Sequence, residues 1–176
     1  MGGEQPIPVD LRAWAPGDLA LLERLLGDPS MMTHLGGPET PEKIRERHAR
    51  YCRSSASGAD AQFAIVAGSA HAAAGWIGYW EREWQGQTVL EAGWSVLPEL
   101  QGRGIATRAA RLLADRARSN GRYRALHAFP AVDNPASNAV CRKAGFRCLG
   151  EVDFEYPRGH FLRCNDWSLE LTDQNR

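Results

Sequence analysis

A glycine-rich run at residues 101–107 has the composition of an anion-binding turn. It reads Gln-Gly-Arg-Gly-Ile-Ala-Thr, and the apolar residues after it recur at helical spacing, which predicts a helix from about Gly102 to Asn120. The first N–H groups of a helix lack internal partners and lie at the positive end of its dipole. Because Gly102, Gly104 and Ala106 carry little side-chain bulk, an anion can contact the backbone directly. The run therefore predicts a phosphate- or pyrophosphate-binding turn.

Two familiar phosphate-binding loops do not fit this run. A P-loop ends in Gly-Lys-Ser/Thr, but Gly104 is followed by Ile105. A dinucleotide fingerprint needs a third glycine where Thr107 stands, and an acidic residue roughly 20 positions further on. The chain has Arg-Tyr-Arg at 122–124 instead. The remaining pattern is Gln-x-x-Gly-x-Ala, which here occupies residues 101–106.

A strand is predicted immediately before this turn. Apolar and other residues alternate along it, as in a half-buried strand: Leu90, Ala92, Trp94 and Val96 against Glu91, Gly93 and Ser95. Pro98 ends the strand because it has no N–H for a sheet ladder. Glu91, at the head of the strand, has two interpretations: a general base, acting through a water, or an exposed strand carboxylate.

A second informative run covers residues 132–146. Asn134 is a good N-cap, Pro135 suits the first helical position, and Gly145 suits the C-terminal stop. These signals predict a short helix from about Asn134 to Gly145. By composition alone, the run need be no more than a well-capped helix.

Together, the two runs resemble the GNAT superfamily of acyl-CoA-dependent N-acyltransferases. The order Asn-x-x-Ser-x-x-Val-x-x-Lys-x-Gly-Phe in the second run is most similar to the branch that includes ribosomal-protein N-terminal acetyltransferases. In that family the first motif binds the pyrophosphate of coenzyme A and the last helix lines the pantetheine arm. The resemblance thus implies acetyl-CoA as co-substrate, with cofactor contacts at Trp94, Val96, Gln101, Gly102, Arg103, Gly104, Ile105, Ala106, Thr107, Asn134, Ser137 and Asn138.

The resemblance also implies roles in catalysis. The backbone N–H of Trp94 would bind the acetyl carbonyl, and Val96 would pair with pantetheine like an added strand. Gly93 predicts a bulge that frees these groups from the ladder. Many relatives carry a tyrosine general acid where this chain has Cys141, so the acid is open: Ser137 ranks first, Cys141 second, and no dedicated acid third. Cys141 fits a small buried residue better than an acid.

The remaining elements agree with an α+β fold, of the GNAT type: a mixed, mostly antiparallel sheet flanked by helices. No linker or repeat divides the chain, so residues 1–176 are expected to form one domain. Other helices are expected after Asp18 and from Thr40-Pro41. Further strands are expected at 7–14, 62–67, 75–84, 88–96, 124–129, 146–154 and 162–171, with turns at 83–87 and at Pro157-Arg158-Gly159.

Composition limits the possible partners. The formal net charge is zero, and 43% of residues are hydrophobic, so no nucleic-acid partner is indicated. Arginines are nevertheless concentrated after the turn, and Arg103, Arg108 and Arg111 lie nearest to a bound polyphosphate; a solvated helix face is the alternative for this group. The five histidines show no metal-ligand spacing: His34, His48, His71, His127 and His160.

No signal peptide or membrane span is evident, and no Cys-x-x-Cys pair occurs, so a cytoplasmic protein with reduced thiols is expected. Whether it forms a homodimer is left open. Trp76, Trp80 and Trp84 share one parity on a strand and are expected to pack on one face of the sheet, with an aromatic substrate pocket as the alternative.

Two functions remain after these arguments. The first is transfer of an acetyl group from acetyl-CoA to a primary amine, such as a protein N-terminus or a small-molecule amine. The second is a non-catalytic acyl-CoA-binding module of the same fold, favoured by the missing tyrosine at Cys141 and by the untested role of Glu91.

Overall fold

One twisted, mostly antiparallel sheet of seven strands organises the protein. The computed structural model describes residues 7–54, 58–156 and 158–172. The strands are β1 (Val9–Ala13), β2 (Asp60–Ala67), β3 (Ala72–Trp84), β4 (Gln87–Val96), β5 (Ala125–Ala128), β6 (Arg147–Glu155) and β7 (Phe161–Glu170). Their order in the sheet is β1-β2-β3-β4-β5-β7-β6, and only β4 and β5 run parallel. The predicted fold class is confirmed.

Within the described residues, four α-helices cover the two faces of this sheet. They are α1 (Leu19–Leu26), α2 (Pro41–Cys52), α3 (Ile105–Asn120) and α4 (Pro135–Ala144). The core against α3 contains the apolar side chains of Ile77, Tyr79 and Leu90. A second core, under α1 and α2, contains Trp14 and Leu25 together with the partly buried Trp76.

The helix ends follow the signals in the sequence. Thr40 caps α2, its hydroxyl accepting a hydrogen bond from Lys43 N–H, and Asn134 caps α4 through Ser137 N–H. Gly121 ends α3 in the left-handed conformation, at φ 69°. The start of α3 was predicted too early: the helix begins at Ile105, because Gly102 and Gly104 both have positive φ and cannot continue a right-handed helix.

The β3–β4 hairpin fixes which residues share a face. Its two-residue turn places Gln85 and Gly86 at positive φ, as a tight hairpin requires. From this turn the register runs without a shift from Trp84 opposite Gln87 to Gly75 opposite Val96. The bulge predicted at Gly93 is therefore wrong, because Gly93 lies directly opposite Gly78 in a regular ladder.

Several expected features lie outside the described residues. These are parts of the expected single domain, residues 1–6, 55–57 and 173–176, and Pro157 in the predicted turn between the last two strands.

Candidate active site

The central strands separate where the cofactor was predicted to bind. β4 and β5 pair only through Leu90 with Leu126 and Glu91 with His127. Beyond this point the described part of β4, residues 92–96, pairs with β3 alone. We call the resulting opening between the two strands the fork. It supplies the free strand edge that the bulge was expected to create.

Backbone groups of Trp94 and Val96 face the fork. The N–H of Leu97 donates to the carbonyl of Ala74 at 2.9 Å, which identifies a hydrogen-bonded pair of the antiparallel ladder. Because such pairs alternate along a ladder, Ser95 and Gly93 direct their backbone groups to β3, whereas Trp94 and Val96 direct theirs away from it. An extended ligand in the fork can thus bond to β4 as an added strand.

The glycine-rich turn follows the end of β4. An added Cβ at Gly102 would meet nothing within 4 Å, and one at Gly104 only an arginine nitrogen 3.9 Å away. Within residues 7–54, 58–156 and 158–172, no backbone carbonyl accepts from the N–H groups of residues 102–107. The turn thus has the open, donor-rich backbone that a diphosphate requires.

Gln101 binds to the protein itself. Its Nε2 donates to the carbonyl of Val96 at 3.0 Å and lies 3.3 Å from Sδ of Met31. The side chain therefore ties the turn to the end of β4. This contact sets the distance between the fork and the start of α3, a role that the sequence did not indicate.

The three arginines nearest the turn differ in their partners. Arg108 donates to the carbonyl of Ile7 at 2.8 Å, and Arg111 donates to the carbonyl of Lys143 at 2.5 Å. Arg103 is exposed on the turn, and it forms no ion pair with any residue that the structure describes. Of the three, Arg103 is the one whose guanidinium has no hydrogen-bond partner among the described residues, so it is the freest to reorient towards a phosphate.

On α4, the predicted ligands Asn134, Ser137 and Asn138 lie within one turn of each other. Asn134 Oδ1 accepts from the Ser137 N–H at 3.1 Å, and Ser137 is half-buried. Asn138 uses its whole amide within the protein: Oδ1 accepts from Asn165 and Trp167, both at 2.8 Å, and Nδ2 donates to two backbone carbonyls. Asn138 is thus engaged in fastening α4 to β7, in place of the free amide that was predicted for pantetheine.

Cys141 does not reach the cleft. It is 0% exposed and belongs to the core against α3, and burial raises the pKa of its thiol. A thiol enclosed in this core has no path for a proton to a ligand. The structure favours the core role for Cys141 and leaves Ser137 as the acid candidate.

The opposite face of the sheet carries Glu91. The side chain is 11% exposed, and its Oε2 accepts from Trp80 Nε1 at 3.0 Å and from Arg82 at 2.6 Å. Burial raises the pKa of Glu91 above its ordinary value, and the Arg82 guanidinium partly opposes this. Glu91 is thus a buried, paired carboxylate at the base of the fork, rather than an exposed strand residue.

Aromatic side chains form one wall beside Glu91. On one side Tyr51, Trp76 and Trp80 stack in succession, with ring centroids 5.4 Å and 6.3 Å apart. The rings of Trp76 and Trp80 lie over Gly93, where a Cβ would approach them to 3.1 Å and 2.9 Å. The three tryptophans do share one face of the sheet, as their spacing predicted.

A buried polar chain, which the sequence did not reveal, forms the other side. His127 Nδ1 donates to Asp166 Oδ1 at 2.7 Å, and Trp84 Nε1 donates to Asp166 Oδ2 at 2.9 Å. Ser168 Oγ lies 3.3 Å from His127 Nε2. Asp166 is 2% exposed, so this carboxylate is retained in the interior by its two donors.

Among the described residues, no group of three or more His, Cys, Asp or Glu side chains could hold a metal ion. None of the described helices has the length and apolar character needed to cross a membrane. His34 lies 3.2 Å from Asp133 and so connects the segment after α1 to the turn before α4.

A family model described as an acetyltransferase (GNAT) domain matches residues 9–147. The chain belongs to the GNAT acetyltransferase family. The match covers both the glycine-rich turn and the run from 132 to 146, so the resemblance seen in the sequence is confirmed. A search among curated proteins finds no match.

Solved structures of GNAT proteins share this fold. A GNAT-family acetyltransferase from Bacillus anthracis has a TM-score of 0.76 at 18% identity, over 93% of this chain and 95% of the other. The spermidine N-acetyltransferase from Vibrio cholerae, in complex with CoA and spermine, has a TM-score of 0.75 at 19% identity, with the same coverage. The ribosomal-protein alpha-N-acetyltransferase RimL, in complex with coenzyme A, has a TM-score of 0.75 at 23% identity, over 92% and 93%.

Proposed function

We propose that this GNAT protein transfers an acetyl group from acetyl-CoA to a primary amine by direct attack. The observation that carries the proposal is the position of the fork between the open glycine turn and Glu91. The turn offers unpaired N–H groups to a diphosphate, and the free edge of β4 offers Trp94 and Val96 to pantetheine. An acetyl thioester bound along this path ends beside Glu91.

Each residue then has a defined part in the reaction. The amine nitrogen attacks the thioester carbonyl carbon, and the Trp94 N–H donates to the oxygen that becomes negative; such a donor is worth about 3 kcal/mol. Glu91 accepts the amine proton, directly or through a water. The carbon–sulfur bond breaks, and the thiolate takes a proton from the Ser137 hydroxyl, which solvent water then reprotonates.

The acceptor decides how much Glu91 contributes. At pH 7.4, deprotonating a lysine-like amine of pKa about 10.4 costs about 4 kcal/mol, whereas an α-amine near 8 costs under roughly 1 kcal/mol. The base is therefore important for the first type of amine and nearly dispensable for the second.

The second candidate, a non-catalytic acyl-CoA-binding module, is favoured by one observation: Glu91 Oε2 already accepts two hydrogen bonds from the protein, from Trp80 and Arg82, which leaves this oxygen less free to accept a proton from an amine. Measuring free-thiol release with a panel of amines, beside calorimetric titration with CoA, separates the two functions. We expect thiol release with at least one amine. CoA binding without thiol release for any amine supports the module and contradicts the transferase.

A further inference from the structure

We propose that Arg82 is a specificity-determining residue that selects acceptor amines without a second positive charge near the reacting nitrogen. This inference rests on the proposed function and concerns the same site. Arg82 would exclude polycationic acceptors by holding a fixed positive charge beside Glu91, at the place where such an acceptor would bring its second ammonium group.

Arg82 is held at the acceptor side by three contacts. Its guanidinium donates to Glu91 Oε2 at 2.6 Å and lies 4.2 Å from the ring centroid of Phe154 and 5.8 Å from that of Phe129. A cation over aromatic faces next to a carboxylate is the arrangement that binds an ammonium group. In this protein the cation is part of the chain, and 28% of its side chain is exposed.

A second cation approaches the same face from α2. Arg47 is ion-paired with Glu39 and lies next to the buried side chain of Tyr51. Tyr51 stacks on Trp76, which shares the face of the sheet with Glu91, so Arg47 lies on the acceptor side as well.

The carboxylates around this face already have partners among the described residues. Glu91 forms an ion pair with Arg82, and Glu39 forms one with Arg47. Asp166 accepts from His127 and Trp84 and is 2% exposed, so a substrate does not reach it. A diamine or polyamine needs uncompensated negative charge to offset the desolvation of its second ammonium, and at Glu91 the Arg82 guanidinium already occupies that place.

Arg82 is not expected to weaken the binding of an acceptor whose second group is neutral or a carboxylate. Such a molecule brings one amine, which must lose its proton to react, and places no like charge beside Arg82. At a separation of a few ångströms, two like charges in a partly shielded cleft change binding by roughly tenfold or more. Arg82 therefore favours acceptors such as amino acids, peptide N-termini and simple monoamines.

Three acceptors of equal chain length test this inference: n-butylamine, 1,4-diaminobutane and 4-aminobutyric acid. The quantity measured is kcat/KM for thiol release from acetyl-CoA, in the full-length protein. We expect the protein to disfavour the diamine relative to butylamine by roughly tenfold. Arg82→Gln, which removes the charge but keeps a donor for Glu91, is expected to abolish most of this discrimination, whereas Arg82→Lys keeps it.

Arg163→Gln is the matched control, because Arg163 pairs with Glu151 and Asp153 on the exposed side of the β6–β7 hairpin. This variant should leave the ratio of kcat/KM for n-butylamine to kcat/KM for 1,4-diaminobutane unchanged. An equal loss of kcat/KM for all three acceptors in Arg82→Gln would mean that Arg82 only supports the fold, and would overturn the inference. Thiol release from none of the amines, with CoA still bound, would instead overturn the proposed transferase function.

Discussion

The two halves of the candidate site consist of different chemical groups. The cofactor half consists of backbone: the glycine-rich turn, the start of α3 and the free edge of β4. The acceptor half consists of buried side chains that bond to one another, centred on Glu91, Arg82 and Asp166. A backbone site binds any ligand with the right anion, whereas a site of paired side chains can change its specificity through single substitutions.

The largest effect is expected at the centre of the acceptor half. Replacing Glu91 by Gln removes the proposed proton acceptor and should lower kcat for a lysine-like amine by about 10²–10⁴-fold. The loss should be smaller for an α-amine, which is already largely neutral. Steady-state rates with one amine of each type measure this difference. An equal loss for both amines would remove the base role from Glu91.

The next effect concerns stability rather than activity. Asp166→Ala leaves two donors, His127 and Trp84, without their partner, and should cost about 1–3 kcal/mol for each in the free energy of unfolding. Asp153→Ala is the control, since Asp153 pairs with Arg163 in solvent and should cost less than about 1 kcal/mol. Chemical denaturation of the two variants measures both losses in the free energy of unfolding. Similar losses in both variants would contradict a buried polar chain that supports the acceptor half.

The cofactor half is tested by two glycines at opposite ends of α3. Gly104 and Gly121 have φ of 73° and 69°, so valine at either position strains the backbone to a similar degree. Only Gly104→Val also places bulk at the predicted diphosphate, and we expect it to weaken CoA binding at least tenfold (about 1.4 kcal/mol). Calorimetric titration of both variants decides the point. Equal CoA affinities in the two variants would argue against the turn as the diphosphate site.

The smallest effect is a displaced pH profile. Glu91 faces Arg82 from β3, His127 from β5 and Cys164 from β7; burial raises the pKa of Glu91 and Arg82 opposes the rise. Arg82→Gln should therefore raise this pKa further and move the acidic limb of kcat/KM to higher pH. An unmoved limb would mean that another group controls it.

The raised pKa of Glu91 also makes the free energy of unfolding depend on pH. Because the folded-state pKa of Glu91 lies above its unfolded value, Glu91 favours the fold below the unfolded pKa. This contribution is lost as the pH rises through the folded-state pKa. Chemical denaturation of the wild type and of Glu91→Gln at several pH values measures this effect. The difference between their free energies of unfolding should change across that pH window.

Much of the cofactor half could be predicted from local sequence. The glycine turn, the Asn134 cap and the Gly121 stop depend on backbone preferences of a few consecutive residues. The error at the start of α3 has the same local origin, because the apolar periodicity does not show that Gly102 and Gly104 adopt positive φ. Their position before the helix is nevertheless what exposes its N–H groups.

The acceptor half could be predicted from the sequence only in part. With the hairpin turn at Gln85 and Gly86, counting pairs places Trp80 opposite Glu91, and Arg82 is then the diagonal neighbour of Glu91. That signal was present in the sequence and was missed. No comparable signal joins His127 to Asp166, since they meet only when β7 is inserted next to β5.

The sequence by itself determined the segments and their ends, because turns, caps and strand alternation depend on neighbours along the chain. The tertiary structure decided the fork and the charge pairing, because these depend on which strands lie side by side and where their pairing stops. Glu91 could be picked out as a carboxylate on a strand from its position alone. Its burial and its bond to Arg82 exist only because the folded sheet places both side chains on one face, where each loses water and gains the other as a partner.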